Sequence, residues 1–345
     1  MTSYASQLSS LVDEIISISD SRNYWLIRTQ AGALYPVFTE KEYVSIGHKD
    51  VTLSFLNENR KAYQQNSTPV INAIKDKIKA HHLLEQYDKR TISLIASQIA
   101  KFAYEIKKGD IIIIPSNNSN DICFGVVETS NWIYEDYTRY GDSSILKKSV
   151  RWVKEIKRRK LDPYLYRMFT AHQAVNNVNE YAEIIERSIN DMFVLDDEAH
   201  IVINIESEKI AAKDLFGLGQ QLLDLVDEVS HQFDFGVSSS DFQVSINVNS
   251  PGKIDIKSKI KKATLILGAI LLICGGGYET SDGTKISTDG LPGVIRAIDE
   301  FLSNQQDREL KKDIFVSYKD SLQIKQPEDM ILLLKQVSDN KDKPQ

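Results

Sequence analysis

QIAKFAYEIKKGDIIIIPS, from Gln98 to Ser116, is the stretch on which the front of this chain turns. Its apolar residues first recur at helical spacing and then merge into four consecutive isoleucines. Lys108-Gly109-Asp110 stands between the two patterns. Gly109 supplies a permissive backbone for a turn, and Ile111 to Ile114 form a strand that fills a core. About a dozen residues on, FGVVE (Phe124 to Glu128) reads as the antiparallel return strand. KKSVRWVKEIKRRK (Lys147 to Lys160) follows as a third strand that carries a tryptophan and ends in a basic run.

Working back from this centre, residues 23–56 read as three strands: NYWLIRT, LYPVF and YVSIGH. Gln30 to Ala33 makes the loop between the first two. Residues 57–90 are polar with one helical stretch, an insertion or arm. A helix over 91–107 buries Ile92, Ile95, Ile99, Phe102 and Ile106. Beyond the centre, Asp162 and Pro163 open a helix, as cap and first position. Another helix, VNNVNEYAEIIERSIN, closes the unit near residue 192. The second half predicts strands at HIVINIE and FQVSINVNSPG and a Gly-interrupted helix over 211–233. An apolar run follows at 263–274, then helices near 291–302 and 330–334.

The chain has 345 residues, which suits two domains rather than one core. Its 42% apolar and 26% charged content is that of an ordinary globular protein. Cys123 and Cys274 are far apart and form no metal spacing, which fits a reducing cytoplasm. The N-terminal twenty residues read as an amphipathic helix and not as a signal peptide. The net charge of −6 is unevenly spread: residues 1–190 carry +3 and residues 191–345 carry −9. An anion is therefore expected on the first half, at Lys147, Lys148, Arg151, Lys154, Lys157, Arg158, Arg159 and Lys160. A solvated charged face is the ordinary alternative for such a run, yet only Glu155 offsets it.

Five segments together resemble the PUA-like barrels of the EVE and YTH kind, as found in Mrr-type restriction and other prokaryotic defence proteins. They are YWLIRT (24–29), YVSIGH (43–48), KFAYEIKKGDIIIIPS (101–116), FGVVE (124–128) and VRWVKEIKRRKLDPYLYRMF (150–169). The resemblance covers roughly residues 20–190 and departs from the family at His48, where an aromatic is usual. It implies a reader of modified or unstacked bases in DNA, RNA or a nucleotide signal, acting in antiviral defence. Aromatic stacking contributes roughly 1–3 kcal/mol per base to such recognition. By position, Tyr24, Trp25, Phe38 and Trp132 would line the base pocket, with Ser116 and Asn117 offering hydrogen bonds. Core packing is the competing role for Trp25 and Trp152.

Several other functions find less in the sequence. The six histidines are scattered or adjacent, so no metal is expected, and the Gly275 to Gly277 run lacks the Lys-Ser/Thr of a phosphate loop. Nor is any cofactor expected. Asp241, Asp255 and Lys257 have the order of a metal-dependent nuclease of the PD-(D/E)xK type, the alternative function considered. The twelve apolar residues at 263–274 would span about 18 Å as a helix, against about 30 Å of hydrocarbon. A buried helix or subunit interface is the expected use, with a membrane-acting effector as the alternative. The resulting expectation is an α+β chain with an N-terminal helix (1–19) and a PUA-like β-barrel with helical insertions (20–192). A smaller C-terminal α/β domain (196–335) and a polar tail (336–345) complete it. The acidic second half would form a homo-oligomer or bind a protein partner.

Overall fold

The computed structural model describes residues 3–46, 51–80, 88–129, 146–247, 252–275, 279–280, 283, 286, 290–304 and 306–341. The elements in chain order begin with α1 (Tyr4–Val12), β1 (Tyr24–Ile27), α2 (Tyr35–Lys41) and β2 (Tyr43–Ile46). Then come α3 (Leu53–Glu58), α4 (Arg60–Gln65), α5 (Ser67–Lys79) and α6 (Lys89–Ala100). The central strands are β3 (Ile111–Pro115), β4 (Asp121–Val127) and β5 (Leu146–Lys157), followed by β6 (Val175–Asn177) and α7 (Ala182–Ile189). The chain ends with β7 (Met192–Leu195), β8 (Glu198–Ile205), α8 (Ala212–Phe233), β9 (Gln243–Asn247), β10 (Gly252–Ser258), α9 (Lys261–Gly275), α10 (Gly293–Ser303), α11 (Gln306–Leu322) and α12 (Glu328–Lys341).

Two compact units result, one of residues Ser21–Ile185 and one of Met1–Asp20 with Glu186–Gln345. The N-terminal helix therefore belongs with the C-terminal residues, and that unit is the larger of the two. Leu8, Leu11 and Ile15 lie in the same core as α9 because the amphipathic face read from the sequence needs an apolar partner.

The front unit holds a six-stranded sheet in the order β2-β5-β4-β3-β1-β6. It is mixed: β1 and β3 run parallel, and the other pairs are antiparallel. The sheet curls into a half-barrel, and among the described residues it is open at β2 and β6, not closed as expected. Trp25, Ile27, Ile112 and Ile114 join one core, into which α5 and α6 press Val70, Ile74, Ile78, Ile92 and Ile99. Tyr24, Leu26, Ile111 and Ile113 point to the opposite face and are buried there. Burial on both faces is why the strand reads as an unbroken isoleucine run.

The turn before β3 is held by Asp110, which is 2% exposed. Its carboxylate accepts from the Asn23 amide at 3.1 Å, the Trp25 Nε1 at 2.9 Å and the Lys107 amide at 2.9 Å. Gly109 sits at φ +91°, the left-handed region that favours glycine.

Three local readings change. LYPVF is α2, not a strand, because Pro36 pre-sets the first helical turn and Glu42 ends it in a left-handed conformation. Val175–Asn177 is strand β6, since the Gln98 side chain accepts from the Ala174 and Val175 amides and docks it beside β1. α8 runs unbroken through Gly217, where a Cβ would lie 2.5 Å from the Tyr318 ring. In the second unit a four-stranded antiparallel sheet, β7-β8-β10-β9, carries α8 and α9 on one face. Every residue of α9 from Ala263 to Gly275 is buried, which accounts for its all-round apolar composition. No helix among the described residues is long and apolar enough to cross a membrane.

Candidate functional site

The end of β5 is where charge, aromatic surface and a concavity coincide. β4 and β5 pair antiparallel with a β-bulge: Phe124 opposes Lys154, Gly125 opposes Trp152, and Val153 is the extra residue. Gly125 is required there, because a Cβ would lie 2.4 Å from a Val150 methyl and 2.6 Å from the Trp152 ring. The register places Asp121, at the start of β4, opposite Lys157. Past Lys157 the chain makes a 3-10 turn over Arg158–Lys160, tied back by the Arg158 amide to the Asn120 carbonyl at 2.8 Å.

Asn120, Asp121, Lys157, Arg158, Arg159 and Tyr166 enclose an open cleft of about 450 Å³. Tyr166 comes from the 3-10 helix Pro163–Thr170, which Asp162 caps by accepting from the Tyr164 amide. The Arg158 guanidinium lies 4.8 Å from the centre of the Tyr166 ring and 5.8 Å from that of Phe169. The Tyr166 hydroxyl donates to the Arg158 carbonyl at 2.9 Å, so ring and guanidinium hold one another. A guanidinium stacked in this way keeps its planar donor edge in a fixed orientation, the geometry suited to a phosphate or carboxylate. Lys157 and Arg159 are exposed, and among the described residues neither has a carboxylate within ion-pair distance. Against these cations the cleft sets one carboxylate, Asp121. No protein-family model, curated protein or solved structure matches this chain.

The eight basic residues between Lys147 and Lys160 divide by burial. Lys147 and Lys148 are 2% and 0% exposed, so they contribute nothing to a rim. They lie in the half of β5 that pairs with β2, with Lys148 opposite Val44. Their ammonium groups sit 5.4 Å from the Tyr43 ring and 6.0 Å from the Phe102 ring. Burial, helped by nearby Arg60 and opposed by Asp110, pushes the Lys148 pKa down to about 8. Arg151 lies 3.8 Å from Glu128. Lys154 is half-buried, while Lys160 is exposed beside the cleft-lining residues. At the end of the run Lys157, Arg159 and Lys160 are exposed, and Arg158 is half-buried against Tyr166.

The aromatic pocket expected on this unit is not assembled from the residues named for it. Tyr24, Trp25 and Phe38 are 2%, 2% and 0% exposed. Trp25 and Phe38 share one core, and Tyr24 lies on the reverse face of β1. They were legible as large apolar side chains, and filling the two layers either side of the sheet is what they do. Trp132 and His48 lie outside the described residues. Ser116 and Asn117 shape a turn: the Ser116 hydroxyl accepts from the Asp121 amide at 2.8 Å, and exposed Asn117 abuts Gly32. Trp152 packs half-buried on the core and donates from Nε1 to the Phe38 carbonyl at 2.9 Å.

The three nuclease candidates are also accounted for by their neighbours. Asp241 caps its own turn, accepting from the Ser238 amide at 2.8 Å. Asp255, 1% exposed, receives the His200 Nδ1 at 3.1 Å and the Arg187 guanidinium at 3.4 Å. Lys257 pairs with Glu198 at 2.7 Å, and this holds the Glu198 carboxyl below its usual range. Asp255 and Lys257 share a strand face, but their functional atoms are engaged in buried or half-buried pairs.

Sequence reasoning missed Tyr166, Asn120 and Asp121. The signal available was small: a basic strand end is met by the start of its antiparallel partner. Finding those residues required the register.

Proposed function

We propose that the unit of residues 21–185 binds nucleic acid through its phosphates, seating them against Lys157, Arg158 and Arg159 beside Tyr166. The observation that carries this reading is the stacked Arg158–Tyr166 pair at the mouth of a cleft whose charged side chains are mostly cationic. The curled mixed sheet is consistent with a PUA-like barrel and supports a role in recognition, here as a sensor of unstacked or modified nucleic acid in prokaryotic defence. A phosphate backbone is the chemistry these groups suit: planar bidentate donors, point charges and a flat ring edge lie within one concavity.

Fluorescence anisotropy with labelled single-stranded RNA, single-stranded DNA and duplex DNA tests it. The double variant Lys157→Glu and Arg159→Glu should weaken binding at least tenfold and lower the slope of log K against log salt by about two. Equal affinity and equal salt slope for wild type and variant on every probe would remove the cleft from the function.

A further inference from the structure

We propose that β9 and the neighbouring face of α8 form a two-fold interface with a second copy of this chain. β9 is the outer strand of the second unit's sheet, and among the described residues nothing pairs with its free edge. Its sequence, Gln-Val-Ser-Ile-Asn, has none of the devices that keep such edges apart: no lysine, no proline and no bulge. Val244 and Ile246 are 47% and 43% exposed, on the same sheet face as Ile254 and Ile256. They continue into a groove of about 250 Å³ bounded on the helix side by Phe216, Gly219 and Leu223, a stripe at helical spacing. Phe216 is 66% exposed, the most of any large apolar side chain described.

Two observations identify the occupant. A row of unpaired backbone N–H and C=O groups beside an alternating apolar strand is satisfied by another extended strand of the same alternation. β9 is such a strand and is complementary to itself. Antiparallel pairing about Ser245 sets Val244 of each copy opposite Ile246 of the other, on one face, and brings no charge against a like charge. The second observation is Gly219. Glycine inside a helix is destabilising relative to alanine, and at Gly217 the Tyr318 ring explains it. At Gly219 an added Cβ would meet nothing within 4 Å of this chain. Close approach of a second helix across the two-fold gives that position its reason. The resulting dimer has an eight-stranded sheet across the axis, with the α8 stripes packed over it.

Sedimentation equilibrium of the full chain over a wide concentration range tests this. The expected species has twice the 39.1 kDa chain mass. Ile246→Lys, which charges the edge, and Gly219→Leu, which fills the gap, should each raise the dimer dissociation constant at least tenfold. Gly219→Leu improves helix propensity and has open space in the single chain, so its circular dichroism and thermal midpoint as a monomer report an intact fold. A wild-type chain that is monomeric at every concentration, including one that binds only some other protein, overturns the proposal. So does an assembly whose dissociation neither variant changes.

Discussion

Asp110 shows how much one short motif determines. Its carboxylate gathers two backbone amides and the Trp25 indole at the point where β1 and β3 start side by side. Asp110→Ala leaves three donors without their acceptor in the interior, and a loss of about 3 kcal/mol is expected in urea denaturation. Asp110→Asn keeps an acceptor oxygen and should lose less. Lys148 behaves in the opposite sense. With a folded pKa of about 8 against the usual 10.5, its charged form is disfavoured by folding. The penalty, on the order of 3 kcal/mol, is fully present below pH 8 and is relieved as pH rises from 8 through 10.5. Lys148→Met should therefore raise the thermal midpoint at pH 7 and flatten the stability profile over that window. A variant less stable at pH 7 would mean that the polar contacts of Lys148 outweigh its burial. The two cysteines make a third case at this level. Burial pushes Cys123 up to about 12 and Cys274 up to about 11. Both should resist iodoacetamide at pH 8 in the folded chain and react once it is unfolded.

Among elements, β5 is the one whose neighbours change along its length. Leu146 to Ser149 pair with β2 and Val150 to Lys157 pair with β4, and Leu146, Lys147, Lys148 and Val150 are buried. From the bulge at Val153 onward the residues of β5 alternate between exposed and half-buried as far as the cleft. Gly125→Ala, pressing a methyl group into Val150 and Trp152, should cost about 1–3 kcal/mol and weaken nucleic-acid binding by shifting the strand end. Unchanged affinity in a destabilised variant would uncouple the bulge from the site. The helices α5 and α6 were plain from apolar spacing alone, since their buried residues repeat every three or four positions. α2 was not. Seven residues are too few for a period to show, and Pro36 suits a strand edge as well as a helix start.

For the molecule as a whole, the N-terminal helix matters more than its place in the chain suggests. Leu11 is 1% exposed in the core of the second unit, and Gln7 accepts from the Val294 amide at 2.9 Å. Leu11→Ala should destabilise the unit formed with residues 186–345 by about 2–4 kcal/mol. Hydrogen exchange should show the loss in β8 and α9 and leave β3 and β4 unaffected; protection lost equally in both units would contradict the division.

Read from residue order, the chain already declares its helix faces, the doubly buried isoleucine strand, the turn at Gly109 and the cationic excess of its front half. These follow from neighbours two to four positions apart, where side-chain direction obeys the helical or extended period. The order of residues did not declare which lysines face inward, that Asp121 and Tyr166 join Arg158, that Tyr24, Trp25 and Phe38 fill layers instead of lining a mouth, or that residues 1–20 pack with the far end of the chain. Strand register and layer contacts settle each of those, and both depend on residues brought together from distant parts of the sequence.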